Sequence, residues 1–326
     1  MTRSRLGFVF TGDITVFGTS KIRPALGALV SALAVLAVLA ASCTPQATRP
    51  TQSTLPAATP LRGPYLGQKP PGTTAEIFAP GIVSRPDSTE FSGTFSPDGT
   101  EYYFYRVSAD SSSTILFSTL RDGLWTAPEQ LPATAGYDAY TPHLTLDNER
   151  LYFGWRHPAP EGQPLPSPEI GTYVLTRTQS GWSDPSFAGQ GMFASSSRDG
   201  QMYITDMSSR DTNGQTYLAM ITREGDSFAE YDRLPISAGQ GSQAHPCVAP
   251  DGSYLLFDVR GGSYLLVSFR NADGSWSDAI DLTQHGFNPL AGGAYVSPDG
   301  KYLFFALRDD IWWVDASVIE ELRPEP

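Results

Sequence analysis

Apolar and polar residues fall into three regimes along the chain. Residues 25–42 are an almost uncharged run rich in Ala, Leu and Val, and residues 44–74 hold almost nothing to bury. From residue 75 onward, short apolar-aromatic runs alternate with turn residues, and the pattern repeats. Five copies of a turn followed by an apolar strand are present: FSPDGTEYYFYR (Phe95 to Arg106), LTLDNERLYFGWR (Leu144 to Arg156), SSRDGQMYITDM (Ser196 to Met207), VAPDGSYLLFDVR (Val248 to Arg260) and VSPDGKYLFFALR (Val296 to Arg308). The turn aspartates are Asp98, Asp147, Asp199, Asp251 and Asp299, separated by 49, 52, 52 and 48 residues. That period is close to one propeller blade.

The turn chemistry explains the motif. Pro sets φ at the first corner, Asp bonds back to the local backbone, and Gly takes the positive φ that closes a hairpin. The second and third turns, Leu146-Asp147-Asn148-Glu149 and Arg198-Asp199-Gly200, depart from the pattern. A third apolar stretch follows each copy, such as Thr114 to Phe117 or Ile311 to Val314, and four units add a fourth, such as Leu124 to Leu131 or Ser275 to Leu282. The expectation is an all-β propeller of five four-stranded blades, with six as the alternative. The fifth unit lacks a fourth strand, while Ala75 to Ser84 supplies one with no strands before it. Pairing the two would close the ring and remove both free edges.

The turn with its aromatic strand and the Gly-Trp-Ser fourth strand resembles the WD40-like repeats of bacterial envelope β-propellers, such as the C-terminal domain of TolB. The resemblance covers about residues 75–316. It implies the fold and says little about activity, and nothing in the chain resembles the N-terminal domain of TolB.

Composition adds location. Lys21 and Arg23 precede the apolar run, which ends in Leu39-Ala40-Ala41-Ser42-Cys43. A basic region, an apolar region and small residues before the cut make an export signal over residues 1–42. The small residues before Cys43 resemble the lipobox of bacterial lipoproteins, in which the cysteine is acylated. A single membrane anchor or an ordinary secretory signal is the alternative, and a start codon further downstream would fit the long stretch before Lys21. The Pro- and Thr-rich residues 43–74 then read as a flexible spacer, leaving residues 75–326 as the propeller. The expected place is the cell envelope: outer membrane or periplasm if the cell has two membranes, the outer face of the plasma membrane if it has one.

The formal charge is −12, and residues 43–326 carry 18 basic against 33 acidic side chains. That excludes a nucleic-acid surface, which needs clustered Lys and Arg. No zinc-like His and Cys spacing, phosphate loop or nucleophile elbow is present, so no metal and no cofactor are expected. Cys247 reads as a buried thiol. The chain is expected to act as a monomer that meets the membrane through its lipid.

Candidate site residues come from the inner strands, which line the axial channel. Counting back from each turn Asp, the eighth position holds Glu90, Ala139, Gly191, Gln243 and Ala291. The sixth holds Ser92, Thr141, Phe193, His245 and Gly293, and the fourth holds Thr94, His143, Ser195, Cys247 and Tyr295. Glu90, Tyr140, His143, Gln243 and His245 are the expected ligand-binding set of a module that holds a protein or glycan. Glu90 and Asp138 are the carboxylates available to the alternative, a glycoside hydrolase.

Overall fold

The computed structural model describes residues 61–158, 160–162, 170–208, 214–236, 241–260 and 264–325. The described chain is a propeller of five antiparallel blades, each with four strand positions. From the axis outward, blade 1 runs Thr89–Phe95, Glu101–Val107, Ser113–Arg121 and then Leu124–Trp125 with Glu129–Gln130. Blade 2 runs Ala139–Leu144, Arg150–Trp155, Gly171–Thr178 and then Gly181–Trp182 with Ser186–Gln190. Blade 3 is Met192–Ser196, Met202–Asp206, Tyr217–Glu224 and Ser227–Arg233; blade 4 is Ser242–Val248, Tyr254–Arg260, Tyr264–Phe269 and Ile280–Asp281. Blade 5 is Ala291–Val296, Tyr302–Leu307, Asp310–Asp315 and, from the other end of the sequence, Glu76–Ile77.

The last pairing is the closure. Glu76 stands opposite Trp313 and Ile77 opposite Trp312, and the Phe78 amide donates to Ile311 O at 2.8 Å. With five blades and the borrowed strand in place, the six-blade alternative falls away.

The second strands read as continuous apolar runs because both of their faces are covered. Side chains alternate across a strand, so Tyr102 and Phe104 enter the core shared with blade 5 while Tyr103 enters the core shared with blade 2. Leu255 and Phe257 likewise face blade 3, and Tyr254 and Leu256 face blade 5. The hydrophobic core is therefore a ring of inter-blade layers. The recurring outer-strand aromatics complete three of them: Trp182 donates Nε1–H to Tyr103 OH at 3.0 Å, Phe228 stacks on Tyr152, and Trp276 meets Tyr203 edge-on.

The turns share one construction. Each aspartate accepts the amide two residues on through Oδ1, at 3.0 to 3.3 Å. Asn148 takes the left-handed corner at φ 62°, where the other four turns use glycine. Asparagine is among the few non-glycine residues that accept this region readily, so the second turn closes like the rest.

The expected spacer ends earlier than Thr74. Trp125 donates its amide to Leu61 O and its indole N–H to Gly63 O, and Asp315 donates to Gly72 O. Leu66 is buried, and Tyr65 packs among Phe95, Tyr302 and Trp313 while donating to Asp299. The apolar Leu61, Tyr65 and Leu66, scattered among Pro and Gly, are what tie this stretch down. Residues 61–74 therefore pack against the propeller. Cys43, the apolar run and the rest of the spacer lie outside the described residues.

Candidate functional site

All five inner strands break register at one place: between Glu90 and Gly93, Tyr140 and His143, Met192 and Ser195, Ala244 and Cys247, and Gly292 and Tyr295. Each break is a β-bulge, which re-aims a side chain. In blades 2 to 5 the sixth-position residue adopts positive φ: Thr141 at 43°, Phe193 at 61°, His245 at 53° and Gly293 at 57°. For the three non-glycine residues that conformation costs about 1–3 kcal/mol each. Blade 1 contributes Phe91 instead of Ser92.

These residues form a plug across the axis. The His245 and Phe193 rings lie 3.8 Å apart, edge to face, and Phe91 lies 4.9 Å from His245. A Cβ on Gly293 would come within 2.6 Å of the Phe91 ring, so only glycine leaves room there. His245 Nδ1 pairs with Asp258 Oδ2, which also accepts the Gly293 amide at 3.0 Å. The cavity left beside the plug is about 40 Å³, room for a few waters and too small for a sugar ring. Of the expected set, only His143 and His245 line it.

The fourth-position residues stitch each blade to the next. Thr94 Oγ1 accepts the Leu144 amide at 3.3 Å, Ser195 Oγ accepts the Val248 amide at 2.9 Å, and Tyr295 OH accepts the Phe95 amide at 2.9 Å, closing the circle. His143 Nε2 bonds Ser196 Oγ at 2.8 Å, and Cys247 has the Val296 amide as its neighbour. Each contact reaches the third position before the next turn Asp. The mixed polar character of this layer is thus inter-blade bonding. Burial holds the His143 imidazole neutral, its pKa lowered to about 4, and pushes the Cys247 thiol up to about 12.

The remaining expected residues are spent on structure. Glu90 is fully buried: Oε1 accepts Arg106 Nε at 2.6 Å and Ser88 Oγ at 2.7 Å, and Oε2 accepts the Arg85 amide at 3.1 Å. Arg106 in turn holds Ile82 O and Val83 O through Nη2. Gln243 bridges Ile236 O and the Leu218 amide. Tyr140 lies off the axis against Ile170, Met192 and Met207, with its hydroxyl pKa raised by burial and then by Asp138. Asp138 Oδ1 accepts the Ser113 amide at 3.0 Å across the blade 1–blade 2 junction. Both carboxylates offered to the hydrolase reading therefore already have protein partners.

Sequence reasoning missed a second region, at the end of the propeller where inner strands begin and second strands finish, here the front face. On blade 2 the His157 ring stacks on Trp155 with centroids 4.2 Å apart, and Tyr137 meets His157 at 4.6 Å and Trp155 at 5.5 Å. Tyr137 is 46% exposed, one of two exposed large apolar residues in the described chain. One rung further along, Arg156 donates its amide to Asp138 O, yet its Nε and Nη2 are buried without a hydrogen-bond partner. The strand-end arginines are not equivalent positions: Arg106 pairs with Glu90 inside its ladder, whereas Arg156 follows the last ladder residue, Trp155. Among the described residues, no group of three or more His, Cys, Asp or Glu gathers to hold a metal ion, and no helix is long and apolar enough to cross a membrane.

No family model matches the chain, and no curated protein matches it. Solved structures similar to it include TolB-type propellers. One from Agrobacterium tumefaciens is 17% identical over 67% of this chain and 69% of that one, with a TM-score of 0.44. TolB from Acinetobacter baumannii is 14% identical over 69% of this chain and 54% of its own, also at 0.44. A gluconolactonase from Xanthomonas campestris is 14% identical over 80% and 98%, at 0.42. Likeness at this level, shared by proteins of such different names, selects no function.

Proposed function

We propose that this chain is an envelope-anchored lipoprotein whose propeller is a binding or scaffold module for a protein or glycan ligand. One observation carries the reading: the blade 2 rim, where the exposed Tyr137 sits against the stacked pair of Trp155 and His157. Tyrosine and tryptophan are among the residues that anchor ligands at recognition surfaces. The axial channel is the weaker place for a ligand, since its plug leaves only about 40 Å³. Glycoside hydrolysis needs two free carboxyl groups flanking the scissile bond, and Glu90 and Asp138 each serve another partner. Acylation of Cys43 would place the module at the envelope.

Two measurements test this. The intact chain is screened against glycans and envelope proteins, scoring both binding and turnover; binding without turnover is expected, and turnover of any glycan by wild-type protein overturns the reading. Metabolic lipid labelling is expected in wild type and absent in Cys43→Ser, and equal labelling of both would remove the anchor.

A further inference from the structure

The five blades end in outer strands of unequal make. Blade 4 ends in the two residues Ile280–Asp281 and blade 5 in Glu76–Ile77. Proline interrupts the other short ones: Pro128 parts Leu124–Trp125 from Glu129–Gln130 in blade 1, and Pro185 parts Gly181–Trp182 from Ser186–Gln190 in blade 2. Short edge strands and prolines keep a free sheet edge from pairing with another chain. Blade 3 uses neither. Its outer strand, Ser227–Arg233, runs for seven residues without proline and is the last strand of its sheet.

That edge presents backbone groups to a partner. The Leu234 amide donates to Leu218 O, and Arg233 and Tyr231 stand opposite Ala219 and Ile221. Bonded and non-bonded pairs alternate along an antiparallel ladder, so Tyr231 and Arg233 direct N–H and C=O away from the sheet. The two faces beside the edge differ. Toward blade 2, Phe228 and Tyr231 line a groove of about 390 Å³ together with Gly189 and Gln190. A Cβ on Gly189 would come within 2.6 Å of the Tyr231 hydroxyl and 2.7 Å of the Phe228 ring, so glycine is what lets both rings lie against blade 2. On the opposite face Asp232 stands across from Met220, which belongs to the layer shared with blade 4, and Glu230 lies two residues before it. Both acids are exposed, and neither makes an ion pair among the described residues.

These faces select what can join. A strand added to the edge alternates its own side chains between them. Apolar residues would stand on the groove side, over Phe228 and Tyr231. Residues on the other side would stand beside Glu230 and Asp232, where a cation is attracted and an acid repelled. A second copy of this strand would bring the same two acids to the same edge, and the chain as a whole carries −12, so self-pairing is disfavoured. We infer that the outer strand of blade 3 pairs with an extended segment of a partner protein in which apolar residues alternate with Lys or Arg, the segment joining the blade as a further strand. This names a protein partner for the binding role proposed above, at an edge other than the blade 2 rim, so the two surfaces stand or fall separately.

The test is fluorescence anisotropy of the intact chain with three short labelled peptides: one alternating Lys with Val and Tyr, one of the same composition with its lysines grouped at one end, and one with Glu in place of each Lys. The alternating peptide is expected to bind, and the other two at least tenfold more weakly. Glu230→Lys combined with Asp232→Lys should weaken binding at least tenfold. The same charge change beside other outer strands, Glu129→Lys combined with Asp278→Lys, should leave it nearly unchanged; thermal melts confirm that both variants fold. Amide hydrogen exchange at Tyr231 and Arg233 should slow in the complex. No binding of the alternating peptide, equal binding of the grouped one, equal losses in the two charge variants, or unchanged exchange at those two amides overturns the pairing. An envelope protein held equally by wild type and by the Glu230→Lys, Asp232→Lys variant would overturn it too, while leaving the broader binding role standing.

Discussion

The seam between blades 5 and 1 and the front rim of blade 2 handle charge and aromatic surface in opposite ways. At the seam the buried charges are paired and the rings packed, though the indole N–H groups of Trp312 and Trp313 stay unpaired. Phe78 packs among Phe95, Tyr102, Phe304 and Trp313, Ser84 Oγ bonds the Ile311 amide and carbonyl, and Arg106 clamps Glu90 and the chain at Ile82 and Val83. At the rim, a tyrosine stays half in water and an arginine keeps two donors unpaired. The seam joins two chain ends with no covalent link to hold them, so any slack there opens the ring. The rim belongs to a continuous blade and can leave groups unspent without risk to closure.

The contrast can be broken most forcefully at Arg106. Arg106→Met leaves Glu90 buried with its charge uncompensated, and removing one partner of a buried pair costs about 3–5 kcal/mol; a urea midpoint equal to that of wild type would show the seam to be less committed than its contacts. A middle-sized effect is expected from His143, which stands in neither region. Its pKa is lowered to about 4 from an unfolded value near 6.5. The unfolded chain therefore takes up the proton first as pH falls. The stabilisation is fully present above about pH 6.5, declines from there to about pH 4, and amounts to about 3 kcal/mol at most. His143→Gln should flatten that part of the stability curve relative to wild type, and parallel curves would assign the acid loss to other groups. The smallest change is expected at the rim: Arg156→Met removes a buried unpaired charge, so stability stays level or rises by up to about 1 kcal/mol. A loss like that of Arg106→Met would mean that Arg156 is structural and the contrast false.

How much was legible follows from which positions obey a simple period. The turn aspartates at nearly constant spacing declared the blades, and Asn148 fits because it can take the same left-handed corner as glycine. The second strands were legible as apolar-aromatic runs, and Ala75 to Ser84 as the missing outer strand. The inner strands were legible only in part. A bulge inserts one residue and flips the side-chain alternation beyond it, so counting back from each aspartate reached the cavity lining at the fourth and sixth positions and lost it at the eighth. Pro142 and Pro246 carried the available signal, since proline inside a sheet is confined to edges and bulges. With Gly93, Ala194 and Ala294 they mark one repeated position, one residue past the plug.

The sequence by itself determined the repeat, the strand available for closure and the acidic, cysteine-poor composition, because each depends on residue type at short or regular spacing. Only the tertiary structure decided between five and six blades, made the closing pair and settled which polar residues are spent. Glu90, Asp138, Gln243 and Arg156 look alike as isolated letters, and what separates them is whether a partner from a different strand or blade arrives within hydrogen-bond reach. That is a property of distances across the ring, set by packing between segments far apart in the chain.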